Sequence, residues 1–273
     1  MTIDWNKRAA PWLRVEAETD AAHGPVLTEL MRKAGLRVGQ SVLDIGPGGG
    51  VSLLHAARAV GPTGRVTGIE IAPPFAERAR ARVPENVEVI VGDAASYPFP
   101  PNSYDAAISL FGVMFFRDPQ AAFAHVRMSC KPGAVLSFAC WGPPAMNPWF
   151  SMAERIAAGV FGPGPAFNPD APGPMSFSDR DKIDRLLSAA GWSVEIETEE
   201  VILTPMGAPE DVAAMQMKIG AAAMRMGDAK DAGTLTDADK DAVRAGLTAG
   251  FADMMVDGAV RVPAQIHFVR ATA

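Results

Sequence analysis

The sequence predicts an α/β fold, a mostly parallel sheet with helices on both faces. Three observations carry the prediction. Short apolar runs alternate with helical stretches from about residue 41 to residue 140. A glycine cluster separates the first run from the first helix. The 48% apolar share is that of a globular chain, which excludes a disordered or fibrous protein. A length of 273 residues allows two domains or one enlarged domain.

The elements follow in order. Ser41-Val42-Leu43-Asp44-Ile45 reads as a strand running into Gly46-Pro47-Gly48-Gly49-Gly50, with a helix over about 51–60 behind it. Arg65–Glu70 reads as a strand, followed by a helix opened by Pro73-Pro74, where proline suits the first turn. Val87–Val91 and Tyr104–Leu110 are further strands. Pro119 opens a helix to about Cys130, and Lys131-Pro132-Gly133 turns into the strand Ala134–Cys140. Residues 159–174 hold nine Gly or Pro in sixteen positions and predict a loop. A helix near 179–190 stops at Gly191, and a strand near 193–203 follows. Residues 209–226 and 236–257 read as helices. The second is capped by Thr236 with Asp239 and carries the stripe Val243, Leu247, Phe251, Met254–Met255. The period-2 run Val260–Val269 is the closing strand.

Charge and sulfur narrow the function classes. The 25 basic and 31 acidic residues give a net charge of −6. Residues 1–90 carry 11 basic and 10 acidic side chains, residues 91–178 carry 4 and 5, and residues 179–273 carry 10 and 16. All the net charge therefore sits in the last third, with 7 of the 14 methionines. Nucleic acids and anionic membranes need clustered Lys and Arg, so neither is an expected partner. Two cysteines, Cys130 and Cys140, are too few for a disulfide framework and fit a cytoplasmic chain. The opening Met1-Thr2-Ile3-Asp4-Trp5-Asn6-Lys7-Arg8 has no apolar run behind its charges and does not read as a signal peptide. The uncharged stretch Pro132–Ala153 contains Pro143, Pro144 and Pro148, which break a spanning helix, so no membrane insertion is expected.

The glycine cluster selects its ligand by spacing. A dinucleotide loop needs small residues at positions 46, 48 and 51, but position 51 is Val51. The observed fit is Gly46, Gly48 and Gly50. Asp44, two residues before the loop, suits a cationic group and repels a pyrophosphate. Glu70 ends the second strand, where its two oxygens can accept from both hydroxyls of a ribose. Asp93, in Val91-Gly92-Asp93-Ala94, can accept from an adenine amino group. A positive end, a ribose and an adenine describe S-adenosyl-L-methionine better than NAD.

Val42-Leu43-Asp44-Ile45-Gly46-Pro47-Gly48-Gly49-Gly50 resembles motif I of the class I S-adenosylmethionine-dependent methyltransferases. The resemblance extends through Glu70, Asp93-Ala94, Tyr104–Leu110 and Lys131-Pro132-Gly133. Phe111–Pro119 and Cys140-Trp141 resemble the small-molecule subgroup near the ubiquinone/menaquinone-biosynthesis methyltransferases. Pro47 and Ala134 depart from the common pattern without removing a needed donor or acceptor. The resemblance implies a Rossmann-like, seven-stranded, mostly parallel sheet with an antiparallel last strand and helical lid insertions. It also implies cofactor contacts from Asp44, Gly46, Gly48, Gly50, Glu70, Ile71, Asp93, Ala94 and Leu110. The expected organisation is a helical cap over residues 1–34 and a methyltransferase domain over 35–273. Insertions are expected at about 142–178 and 204–257.

In such a domain the sulfonium is an activated methyl donor, so alignment and exclusion of water do most of the work. Four histidines are candidate bases. His55 and His125 are expected to pack inside their helices, and His267 to be structural at the far end of the closing strand, whose start near Arg261 lies at the ligand edge. His23 lies in the segment that folds over the cofactor in relatives and is the base candidate. Met114, Phe115, Trp141, Asn147, Trp149 and Met215 are the expected acceptor contacts, for a small hydrophobic or aromatic metabolite. No metal is expected, and the chain is expected to be a monomer or homodimer. Two rival readings are a non-catalytic S-adenosylmethionine or S-adenosylhomocysteine binder acting as regulator or scaffold, and an NAD(P)-dependent oxidoreductase, disfavoured by Val51 and Asp44.

Overall fold

A computed structural model describes residues 4–166 and 168–273. The first three residues of the expected cap, and Phe167 of the expected loop 159–174, lie outside them. The chain begins with α1 (Trp5–Leu13) and α2 (Glu16–Ala34). Alternation then starts with β1 (Ser41–Ile45), α3 (Val51–Val60), β2 (Arg65–Glu70), α4 (Pro73–Arg80) and β3 (Val87–Val91). It continues through β4 (Tyr104–Leu110), α5 (Pro119–Ser129) and β5 (Cys130–Trp141). Next come α6 (Pro148–Phe161), α7 (Arg180–Ala189) and β6 (Ser193–Leu203). The last third adds α8 (Pro209–Ile219), α9 (Ala221–Asp231), α10 (Asp237–Ala252), a small hairpin of β7 (Met255–Val256) and β8 (Ala259–Val260), and β9 (Val262–Thr272).

The main sheet has seven strands in the order β3-β2-β1-β4-β5-β9-β6. The pairs β1–β2, β2–β3, β1–β4 and β4–β5 are parallel, and β9 runs antiparallel between β5 and β6. Alternate side chains feed two separate cores. Val42, Ala106 and Ile108 pack with Leu53, Ala56 and Ala79 of α3 and α4. Leu43, Ile45 and Ala107 face the larger core, with Phe123, Leu136, Phe177 and Phe251. The strand order reverses direction at β1, with β2 on one side and β4 on the other. The carboxyl ends of these two strands therefore open the crevice where ligands of such sheets bind.

Helix α2 ties the cap to both ends of the fold. Lys33, near its C-terminus, pairs with Glu197 and Glu199 of β6, each at 2.7 Å. Pro25 inside α2 has no N–H, so the carbonyl of Ala21 loses its helical donor. The Thr204 hydroxyl donates to that carbonyl at 3.1 Å, and the Thr204 N–H donates to the Ala22 carbonyl at 3.2 Å. A proline in the cap thus anchors the segment that enters α8.

No helix runs through the uncharged stretch 132–153; Pro148 instead opens α6, where its missing N–H costs nothing. Two elements differ from expectation. The helix expected over 209–226 is two helices, α8 and α9, parted by Gly220 in an extended conformation (φ −86°, ψ −170°). Met215 on α8 and Met226 on α9 are buried, and Met224 is half exposed. The helix expected to reach residue 257 ends at Ala252, and Met255 belongs to β7. Its cap is as expected: the Asp239 N–H donates to the Thr236 hydroxyl at 3.1 Å, and the Thr236 N–H donates to Asp239 at 2.9 Å. No described helix is long and apolar enough to cross a membrane.

Asn147 locks β5 to β9 where the chain turns into α6. It is fully buried. Its Nδ2 donates to the carbonyls of Gly142 (3.1 Å), Pro143 (3.1 Å) and Gln265 (3.3 Å), and its Oδ1 accepts from the Gln265 N–H (3.1 Å). The carboxamide expected to meet the acceptor is spent on backbone, a correction to its expected role. Asn147→Ala leaves at least one buried N–H unpaired, at about 1–3 kcal/mol per orphaned group. The variant should unfold at lower urea than the parent, by about 2–4 kcal/mol, in a denaturation series followed by circular dichroism.

Candidate functional site

The glycine loop leaves β1 through three left-handed glycines, Gly46 (φ +68°), Gly48 (φ +56°) and Gly50 (φ +95°). L side chains rarely adopt this region, which accounts for the spacing. A Cβ at Gly50 would also lie 3.0 Å from the Ala79 Cβ, so α4 closes against the loop there. A Cβ at Gly48 would meet nothing within 4 Å, so the loop presents open backbone at that point.

Asp44 lies directly before this loop with no exposed surface. Neither carboxylate oxygen has a hydrogen-bond partner among the described residues. Burial pushes its pKa up to about 7; the Ser52 hydroxyl, short of hydrogen-bonding geometry, tempers the shift, and the Glu70 carboxylate adds to it. A raised folded-state pKa removes stability as pH climbs from the ordinary carboxylate range to about 7, and the loss is complete above that. The ionised form therefore costs roughly 4 kcal/mol in this environment.

Glu70 is also buried, but it is satisfied. It accepts from the Gly48 N–H at 3.0 Å and from the Ala72 N–H at 2.9 Å. Burial raises its pKa, and these backbone donors work against the rise. Each oxygen keeps a second lone pair for a hydroxyl donor. Ile71 beside it is 50% exposed, an apolar plate at the sheet edge. Asp93, exposed beyond the end of β3, accepts from the Ala95 N–H at 2.9 Å, with Ala94 buried next to it. Leu110 is half-buried at the end of β4. These residues end neighbouring strands and so share one edge.

Three features of this edge were not expected. The Ser109 hydroxyl donates to the Ile45 carbonyl at 2.7 Å and accepts from the Gly112 and Val113 N–H groups at 3.1 and 3.2 Å. It thus fixes the turn after β4 against the end of β1. Phe111 within that turn has φ +62°, a strained conformation for a bulky residue, and its ring stacks on Trp141 at 4.5 Å and 5°. Above the loop, Arg82 donates to the Gly49 carbonyl at 3.1 Å and pairs with Glu16 (2.7 Å) and Asp20 (3.2 Å) of α2, while Arg78 pairs with Glu16 at 2.7 Å. A left-handed phenylalanine leaves no sequence signal, and neither does a pairing across more than sixty residues.

Apart from Asn147, the expected acceptor residues lie in or against the larger core. Met114, Trp141, Trp149 and Met215 are buried, and Phe115 is half-buried against Trp5 of α1 at 4.8 Å, edge to face. His23 meets Phe111 (5.3 Å), Trp141 (5.6 Å) and Trp149 (5.9 Å) with its ring inclined to each. Its Nε2 is buried without a partner among the described residues, and burial lowers its pKa to about 4. The buried Gln216 carboxamide on α8 is likewise unpartnered. The other histidines are accounted for by packing. His125 Nε2 meets the Tyr97 carbonyl at 2.7 Å, and His55 is half-buried on α3. His267 is not at the far end of its strand: it pairs with Cys140, next to the carboxyl edge of β5. The register carries β9 on to Thr272, three residues beyond the expected end. Its ring is nevertheless structural, held by Thr198 (2.8 Å) and the Ser178 carbonyl (3.1 Å).

Comparison with known proteins agrees with this geometry. Residues 42–133 match the family described as "Methyltransferase domain". The chain is 33% identical over 141 residues to nocamycin O-methyltransferase of Saccharothrix syringae, covering 50% of each chain. It is 34% identical over 109 residues to demethylmenaquinone methyltransferase of Staphylococcus aureus (strain JH9), covering 39% of this chain and 45% of that one. The chain thus spans about half the length of the curated relatives it matches. In fold it is similar to phosphoethanolamine N-methyltransferase 2 of Haemonchus contortus solved with S-adenosyl-L-methionine, with a TM-score of 0.53 and 17% identity over 90% of this chain and 52% of that one. The matched segment runs from β1 into β5 and contains the glycine loop, Glu70 and Asp93.

Proposed function

We propose that the chain transfers the methyl group of S-adenosyl-L-methionine to a small, largely apolar acceptor. One observation carries the reading: the fully buried Asp44 carboxylate, with neither oxygen satisfied, below a loop of three left-handed glycines. An unpaired buried charge is costly, and a cationic ligand group at the loop offsets that cost. A pyrophosphate would face both Asp44 and Glu70, so the same pair disfavours a dinucleotide. The residues present therefore fit an aminoacyl cation, a ribose and an adenine. Asp44 answers the cation, with the loop backbone at Gly46, Gly48 and Gly50 lying against the ligand. The free lone pairs of Glu70 receive the ribose hydroxyls. Ile71 and Leu110 flank the base, and Asp93 with Ala94 lies at its polar edge.

When bound, the cofactor supplies an electrophilic methyl on a positive sulfur. The chain's residues then have to orient an acceptor and keep water out. Met114, Phe115, Trp141, Trp149 and Met215 suit an apolar or aromatic acceptor, since aromatic and thioether surface binds such groups well. In this reading residues 1–34 act as a cap, and the insertions at about 142–178 and 204–257 close over the acceptor. We place the protein in the cytoplasm, on the ground that Cys130 and Cys140 are buried and unpaired.

Calorimetric titration with S-adenosylhomocysteine tests the cofactor reading. Asp44→Ala and Glu70→Ala should each weaken binding at least about tenfold, the equivalent of one lost charge-assisted contact. Unchanged affinity in both variants would sink the assignment. Release of S-adenosylhomocysteine from S-adenosyl-L-methionine in the presence of phenolic or quinol acceptors is the expected sign of turnover. Tight binding with no turnover on any acceptor would favour a regulatory binder instead.

A further inference from the structure

We propose that His23 is the polar anchor of the acceptor site, and that it selects a flat aromatic molecule bearing a neutral hydroxyl. The proposal rests on the methyltransferase reading above and narrows its acceptor class.

Four elements of the fold, from three stretches of the chain, bring rings together around His23. His23 comes from α2, Phe111 from the strained turn after β4, Trp141 from the end of β5 and Trp149 from α6. Phe111 and Trp141 stack nearly parallel, and the His23 ring approaches both at a steep angle, 66° and 67°. Phe150 packs edge to face with Trp141 at 4.8 Å. Inside this wall, His23 Nε2 is buried and without a hydrogen bond from any described residue. His125 and His267, by contrast, each have a ring nitrogen partnered inside the fold.

The surroundings define what completes it. Buried polar atoms are almost always paired, so an orphan at a ligand edge points to a partner that arrives with the ligand. Aromatic walls favour a flat apolar body. A neutral imidazole nitrogen either accepts or donates, according to tautomer, and a hydroxyl serves both cases. The burial that holds His23 neutral also withholds the positive charge a carboxylate would need. The strained backbone of Phe111 agrees, since such strain persists where the surroundings fix a ring in place for function.

Three ligands of one ring system test the proposal: 2-naphthol, 2-methylnaphthalene and 2-naphthoate. Each is titrated by ligand-observed NMR into the full chain saturated with S-adenosylhomocysteine. The parent protein should bind 2-naphthol at least tenfold more tightly than 2-methylnaphthalene, about 1.4 kcal/mol, although the methyl compound is the more hydrophobic. It should bind 2-naphthoate weakest. His23→Phe should abolish the preference for the hydroxyl, and His23→Gln, which keeps a donor and an acceptor, should restore part of it. A purely structural role for His23 would lower all affinities together and leave their ratio unchanged. Equal binding of hydroxyl and methyl compounds, tightest binding of the naphthoate, no naphthol binding, or an unaltered ratio in His23→Phe would each overturn the proposal. S-adenosylhomocysteine binding on the same samples separates the two readings. Its loss in the parent protein counts against the methyltransferase assignment. Its retention without hydroxyl preference counts against His23 alone. Retention in the variants also shows that they are folded.

Discussion

A carboxylate with no partner in a dry place is the constraint on which this site turns. Asp44 has no exposed surface and no hydrogen bond among the described residues, and a second buried carboxylate, Glu70, adds to the electrostatic cost. Roughly 4 kcal/mol is a large fraction of a domain's net stability. Hydrophobic packing around the strand sustains it: Val42 and Ile108 pack with α3 and α4 on its face, and Leu43 and Ile45 lie in the larger core on the other. The charge then has one natural complement, a cation delivered at the glycine loop. Glu70 plays a different part, since one oxygen braces the loop through the Gly48 amide and the other the start of α4 through the Ala72 amide, while both keep capacity for a ligand.

One helix connects the two halves of the site. The first turns of α2 set Glu16 and Asp20 against Arg82, which grips the Gly49 carbonyl. One turn further on, α2 carries His23 into the ring of aromatics, and Pro25 frees the carbonyl that Thr204 binds. The glycine loop, the aromatic cluster around His23 and the entry to α8 are thus all held by one helix of 19 residues.

How much of this is legible in the sequence depends on the range of the interaction. The strand ends Asp44, Glu70 and Leu110 follow from local signals: an apolar run, a glycine or proline behind it, a helix beyond. The Thr236–Asp239 cap is equally local. What escapes is long-range. Asn147 reads as a pocket residue because it lies among aromatics, but its partners are carbonyls at 142, 143 and 265. Gly220 divides the stretch 209–226, which reads in sequence as one helix. His23 is the instructive case: its place in the chain makes it a candidate, but only the fold gathers Phe111, Trp141 and Trp149 around it.

The central claim, that a cation completes Asp44, is tested most directly by counting protons. With a pKa of about 7 before binding, Asp44 is half protonated at neutral pH, and a cationic ligand favours the ionised form. Binding of S-adenosyl-L-methionine should therefore release about half a proton from Asp44 at pH 7, more at pH 6 and almost none at pH 9. Affinity should rise with pH through this range. Calorimetry in two buffers of different ionisation enthalpy, on the parent chain and on Asp44→Asn, isolates this contribution. A release present in the parent and missing from the variant is the predicted result. Identical proton counts in the two proteins at every pH would contradict the account.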